Sequence, residues 1–268
     1  MKPPSEVPIA SSSVHGDTIR AIARIAAHAA AHGLTDASKR ELSRLMDALR
    51  PEDLGLIPPR PSTGRSSSVD QTGDMRILTQ CIHESNAFEM VIFLFPANAS
   101  IPLHDHPNMN VFSKVLFGSL AMRSYDWEQP PTAEQLRMMS AELARLDGGS
   151  EAERASTPLF ASNRAVRRAD TVLTPEAPTF CLKPNFANIH SFTALSDCAV
   201  LDLLLPPYDD EGRDCHYFVP CEGGDGRQVE LRVEAPPASL VINRATYVGP
   251  SVDSALEVLD SPSVGGQY

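Results

Sequence analysis

Ile101-Pro-Leu-His-Asp-His-Pro-Asn-Met-Asn-Val-Phe-Ser-Lys-Val-Leu-Phe-Gly118 is the stretch on which the reading of this chain turns. His104 and His106 stand two residues apart within it. On an extended strand, residues two apart point to the same face. Two imidazoles on one face can chelate a single transition metal. A third histidine, His190, lies much further along, in Asn188-Ile-His-Ser-Phe192. No carboxylate stands where a fourth protein ligand is expected. The set is therefore three neutral imidazoles with open coordination positions, which suits oxygen chemistry on an anionic substrate.

Around this stretch, short β-like runs recur from residue 75 onward. They cover 76–83, 86–95, 111–117, 119–126, 179–183, 190–194, 198–205 and 214–219. Turn residues separate them at short intervals, which favours a sandwich or small barrel over a helical fold. Residues 128–170 interrupt the pattern. There Thr132-Ala-Glu-Gln135 reads as a capping box, followed by Leu136, Met139, Leu143 and Leu146 at helical spacing. This segment is expected to be a helical insertion on the surface.

The N-terminal part reads differently. Residues 17–32 predict a helix capped by Asp17, with Ile19, Ile22 and Ile25 on one side. A second helix is expected from Ser38, with Ser38-Lys-Arg-Glu41 as its capping box. Leu42, Leu45, Met46 and Leu49 form its apolar stripe, and Pro51 ends it. The expected layout is a helical segment at 1–59 packed on the outside of the main domain, a polar linker at 60–74, the main domain at 75–250 and a tail at 251–268. No internal repeat is visible.

Composition narrows the classes. The chain has 268 residues, 42% of them hydrophobic, with 23 prolines, which fits one large all-β domain or two small domains, with many turns and loops. Its formal charge is −11 and its pI about 5.1. Such a surface repels phosphate backbones, so no nucleic-acid partner is expected, whereas a basic peptide would be attracted. Cys81, Cys181, Cys198, Cys215 and Cys221 are odd in number and form no CxxC. That argues against structural zinc and a disulfide framework, and for reduced thiols in the cytosol or nucleus. No apolar run reaches a membrane span, and the first residues lack the apolar core of a secretory signal. Arg20, Arg24 and many alanines at 18–32 are also features of transit peptides, but a plain helix explains them. A monomer is expected.

The other histidines read as ordinary. His15, His28, His32, His83 and His216 are expected on the surface or as satisfied core groups. His28 and His32 are four apart on a helix, but no Glu follows the first, so the zinc-protease motif is absent.

The His-x-His pair and the following glycine resemble the first cupin motif. Asn98 and Val111 stand where that motif usually has a glycine and a glutamate, and Gly118 is its closing glycine. His190 matches the histidine of the second motif, with Pro184 and Ala187 replacing the usual Pro-x-Gly. This resemblance implies a mainly β, cupin-like double-stranded β-helix, or jelly-roll barrel, with N-terminal helices and a helical insertion.

A longer resemblance is more specific. The 101–118 stretch with Ser124-Tyr-Asp-Trp127 is similar to the plant cysteine oxidases. Leu201-Asp-Leu-Leu-Leu-Pro-Pro-Tyr208 and Glu211-Gly-Arg-Asp-Cys-His-Tyr217 resemble those enzymes and, more closely, cysteamine dioxygenase. Leu49-Arg-Pro-Glu-Asp-Leu54 and Tyr247-Val-Gly-Pro250 also resemble cysteamine dioxygenase. The likeness spans roughly residues 18–250. It implies a non-haem iron(II) thiol dioxygenase, with His104, His106 and His190 as iron ligands. Asp202 and Tyr208 match the family's active-site acid and phenol. Cys215 and Tyr217 match a pair that forms a thioether in some thiol dioxygenases.

The implied reaction takes O2 and the thiol of cysteamine, or of a protein's amino-terminal cysteine, to the sulfinic acid. In the protein case it links oxygen level to degradation through the N-degron route, in the cytoplasm and also the nucleus. Plainer readings stay open beside these. Asp202 lies in an apolar run and must be paired if buried, so a structural hydrogen bond is one alternative. Tyr208 can merely pack after Pro206-Pro207, and Cys215 can be an inert thiol. For the whole chain the rivals are a non-catalytic cupin binding a small ligand or partner, and a metallocupin acting on a non-thiol substrate.

Overall fold

A computed structural model describes residues 16–59, 76–148, 163–168, 170–209, 212–221 and 227–260. The expected linker at 60–74, His15 and residues 261–268 lie outside these described residues, as does the side chain of Leu146. Helices α1 (Asp17–His32) and α2 (Asp36–Ala48) open the fold. Gly16, not Asp17, is the N-cap of α1, and no side chain caps it. The capping box of α2 is Thr35 with Ser38, three residues ahead of the expected one. Thr35 wins because its hydroxyl accepts the Ser38 N–H while Ser38 Oγ accepts the Thr35 N–H. The Leu42 and Met46 stripe is unaffected and fully buried.

Thirteen strands follow among the described residues: β1 (Ile77–Glu84), β2 (Glu89–Phe95), β3 (Ser100–His104), β4 (Asn110–Phe117), β5 (Leu120–Trp127), β6 (Asn163–Arg167), β7 (Thr171–Leu173), β8 (Phe180–Leu182), β9 (Ile189–Ala194), β10 (Cys198–Leu205), β11 (Tyr217–Cys221), β12 (Gln228–Glu234) and β13 (Ile242–Ala245). Helix α3 (Ala133–Gly148) sits between β5 and β6, and α4 (Asp253–Asp260) comes last. One sheet runs β13-β1-β2-β10-β4-β8 and the other β6-β12-β11-β3-β9-β5-β7. In the second sheet β6 also pairs with β5. That closes an antiparallel ring of six strands, β5-β9-β3-β11-β12-β6. Closure leaves no open edge in the ring. The mainly β jelly-roll barrel with N-terminal helices is therefore what the chain forms.

β10 shows how the layers stack. All eight of its residues are buried. Leu201, Leu203 and Leu205 pack with Ile22, Leu42 and Met46 of the helices. Val200 and Leu204 face the barrel interior with clusters centred on Phe95, Phe192, Val91 and Val111. Both faces are covered, so the strand is a continuous apolar run rather than an alternating one. Truncating Leu203 to alanine here costs about 2–5 kcal/mol. Asp202 is the one charged group on the inner face.

Three expectations change. The insertion is shorter than 128–170, because β6 at 163–167 belongs to the closed ring. The residues after 250 are not simply a tail: α4 seats Val252 and Ala255 in the core beside α1. Finally, β3 ends at His104, so His106 lies in a turn rather than on the same strand. The glycine-replacing residues of the cupin-like motifs adopt the geometry glycine would: Asn98 has φ 70° and Ala187 φ 51°. At Gly118, with φ 79°, any side chain would collide with the backbone of Asp197.

Candidate metal centre

The site is built on a cross-strand row. Tyr217 of β11 pairs with His104 of β3, which pairs with His190 of β9, which pairs with Ser124 of β5. Directly opposed residues in a sheet have neighbouring side chains, so two imidazoles meet although they are distant in sequence. Ring centroids of His104 and His190 are 4.6 Å apart. His106 reaches the same point from the turn after β3, 4.9 Å from His104 and 5.1 Å from His190. One nitrogen of each histidine lies within 4.8 Å of the others.

Turn geometry replaces strand pleat as the device that aims His106. Asn188 is buried and clamps its backbone: Asn188 Oδ1 accepts the His106 N–H at 3.2 Å, and Nδ2 donates to the His106 carbonyl at 2.7 Å. The bend at Ala187 is held by its N–H donating to Asp126, which also pairs with Arg168. Beside it, Asp105 is 1% exposed and accepts the backbone N–H of His216 at 2.9 Å and its Nδ1–H at 3.1 Å.

Hydrogen bonds fix the tautomers. His104 Nδ1 lies 2.9 Å from the Pro102 carbonyl, which can only accept, so Nδ1 carries the proton and Nε2 a lone pair. Tyr208 donates its O–H to the Asp105 carbonyl at 2.7 Å. The same hydroxyl is 2.7 Å from His106 Nδ1. With its one proton committed, it accepts from His106 Nδ1–H, which leaves His106 Nε2 as a lone pair. His106 Nε2 and His190 Nδ1 are buried without a hydrogen-bond partner. A buried polar atom left so is costly, and a cation coordinated by the ring would relieve it. Desolvation holds all three imidazoles below the usual histidine range, with the neighbouring rings adding repulsion at His106 and His190. Neutral, buried and convergent, the three residues fit a transition metal.

A largely apolar cavity of about 220 Å³ fronts the histidines, walled by Phe93, Phe95, Phe192 and Val200. Asp202, Tyr208, Cys215 and Tyr217 all reach it. Burial pushes the Asp202 carboxyl up to about 7, against a pull from the Ser113 hydroxyl opposite it on β4. Asp202 Oδ1 and Ser113 Oγ nevertheless both lack a partner in hydrogen-bonding geometry. The plain reading of Asp202 as a satisfied structural acid therefore finds no support at that atom. Cys215 precedes β11 instead of lying on it, yet its thiol interacts with the hydroxyls of both Tyr208 and Tyr217. Burial raises the Cys215 thiol to about 12.

The sequence reading named all seven residues gathered here. It missed Asp105, Asn188 and Asp126, which hold the histidine-bearing segments from behind. Asp105 and Asn188 stand beside the histidines in the very stretches that were quoted, so adjacency was the available signal. Of the two ordinary places expected for it, surface or satisfied core, His216 takes the second, and its partner is Asp105.

The PCO_ADO family model matches residues 45–252 of this chain. Plant cysteine oxidase 1 of Arabidopsis thaliana is 36% identical over 182 residues, covering 67% of this chain and 54% of that protein. Plant cysteine oxidase 2 of the same plant is 30% identical over 230 residues, 79% of this chain and 72% of that one. The 2-aminoethanethiol dioxygenase of Homo sapiens is 32% identical over 185 residues, 66% of this chain and 63% of its own. The chain thus spans about half the length of the first relative. Among solved structures, a cupin superfamily protein from Desulfitobacterium hafniense aligns with 56% of this chain and 94% of its own, at 11% identity and a TM-score of 0.30. The fold assignment rests on the strand pairings, not on that alignment.

Proposed function

This chain belongs to the PCO_ADO family, and from that premise we propose that it is an iron(II) thiol dioxygenase. Its substrates are the amino-terminal cysteine of proteins or cysteamine, and its product is the sulfinic acid. The observation that carries the reading is the convergence of three buried neutral imidazoles, with no carboxylate in the group. When bound, iron(II) supplies one-electron redox chemistry and open coordination positions to this site. The overall change combines R–SH with O2 to give R–SO2H. Four electrons pass from sulfur to oxygen, so neither reductant nor oxoacid is consumed.

The chain's own residues set the conditions. The phenylalanine walls keep bulk water from the reacting sulfur. Asp202, with its pKa near neutrality, is placed to hold a proton from the incoming thiol or to face the substrate's ammonium. Tyr208 keeps His106 in its Nδ1–H tautomer. The Cys215 thiol interacts with the Tyr217 hydroxyl; joining the two as a thioether would remove one hydrogen from the thiol and one from the ring and pass both, with two electrons, to dioxygen, which would leave as hydrogen peroxide. Oxidising an amino-terminal cysteine would make this an oxygen-sensing step of the N-degron route.

The test is mass spectrometry of a Cys-initiated peptide and of cysteamine, each incubated with iron-loaded protein under labelled dioxygen. Both labelled atoms should appear in the product without an oxoacid. One labelled atom, or a strict need for an oxoacid, overturns the proposal.

A further inference from the structure

We infer that the groove leading out of the metal cavity along α3 holds the stretch of polypeptide that follows a substrate's amino-terminal cysteine. The inference rests on the thiol reading above and narrows it toward protein substrates. Three neighbouring spaces share walls in succession. The 220 Å³ cavity in front of the histidines has Cys215 and Tyr217 in its wall. The same two residues bound the next space, of about 420 Å³, together with Leu143 and Ala144 of α3. Ser140 and Asp214 then bound both that space and a third, of about 640 Å³, which runs past Arg137 and Ala133 to Arg213.

One face of α3 forms a continuous wall. Ala133, Arg137, Ser140 and Ala144 succeed each other at spacings of three and four, so they line up along the helix. Leu136 and Met139 anchor it in the core. Ser140 Oγ lies 2.9 Å from His216 Nε2, whose other nitrogen binds Asp105 between two of the three histidines. The wall is therefore tied to the metal loop. A two-carbon aminothiol needs only the inner cavity. The outer spaces are larger than such a molecule can use; the middle one, with Leu143, Ala144 and Pro236 in its wall, suits an apolar side chain, and the outermost, with Arg137, Ser140 and Asp214, suits peptide N–H and C=O groups. From residue 144 to residue 133 the helix rises about 16 Å. An extended chain at about 3.3 Å per residue covers that with roughly five residues.

The experiment uses the iron-loaded full chain without oxygen, and a fluorescein-labelled Cys-initiated peptide of about ten residues, long enough to outrun the groove. Binding is read by anisotropy. A second peptide carries a benzophenone at its fourth position, and its cross-link is mapped by mass spectrometry. The cross-link should fall within residues 133–144. Ala144→Trp, which fills the groove from an exposed position away from the metal, should weaken peptide binding about tenfold, equivalent to about 1.4 kcal/mol. The control Ala144→Ser should bind as wild type. Under air, Ala144→Trp should lower peptide turnover while cysteamine turnover stays unchanged. A cross-link elsewhere, or equal effects on peptide and cysteamine, overturns the groove. If peptide binds and cross-links at α3 but no thiol is oxidised, the thiol reading falls and the groove stands.

Discussion

His216 Nδ1 lies 3.1 Å from Asp105 Oδ1, and each side chain is 1% exposed. Asp105 stands between His104 and His106. His216 stands between Cys215 and Tyr217. One buried pair thus pins the metal loop to the segment that carries the cavity's thiol and phenol. Asp105→Ala should destabilise the chain by about 1–3 kcal/mol, the usual cost of leaving a buried hydrogen-bonding group such as the His216 N–H without its acceptor. Asp105→Asn should keep the fold and weaken iron binding about 10–100-fold. Denaturant titration and chelator competition give the two numbers. Unchanged iron affinity in Asp105→Asn would mean that the loop holds itself.

Asn188 bonds both the N–H and the carbonyl of His106. Asn188→Ala leaves that buried backbone unpaired, at about 1–3 kcal/mol. Asn188→Asp keeps the acceptor and loses the donor, so its loss of iron affinity should be intermediate between wild type and Asn188→Ala. Equal affinity in all three proteins would refute the clamp.

Tyr208→Phe removes the acceptor for His106 Nδ1–H. Iron affinity should fall about tenfold or more, as for other groups that orient a metal ligand. A fall in kcat with iron affinity intact would instead place the Tyr208 hydroxyl on the substrate.

Asp202 titrates near 3.8 when exposed and at about 7 in the folded chain. Between those values the folded state holds a proton that the unfolded state has released. Stability from this group is therefore full below 3.8 and lost as pH rises through about 7. Asn does not titrate. In metal-free protein, Asp202→Asn should gain Tm over wild type progressively across that window, while the iron enzyme should lose about 10²–10⁴ in rate. Melting curves that stay parallel with pH would sink the assignment.

The strands that pack on both faces were legible, because burial writes itself as apolar runs such as Val200–Leu205. So was the convergence of His104, His106 and His190, since His-x-His beside a turn has few other uses. β6 was not: Asn163-Arg-Ala-Val-Arg167 buries only Ala165, and its role in closing the ring is backbone pairing, which leaves no side-chain signature. β13 is an edge strand with no buried residue and was unreadable for the same reason. β12 was a true omission, as Val229, Leu231 and Val233 alternate cleanly. The convergence of His106 was expected for the wrong reason. A turn and an asparagine clamp do what a pleat was expected to do, and hydrogen bonds between distant segments do not show as periodicity.

The pairing of His104 with His190 sets an order of events at the ribosome. The first two histidines are synthesised together, but the third follows on the order of ten seconds later at typical elongation speeds. Until then the nascent chain offers only a bidentate, exposed imidazole pair, open to any passing cation. Docking of β9 on β3 alone brings the third imidazole into reach. The three-histidine cluster is thus a product of one long-range strand pairing and cannot exist before that pairing forms.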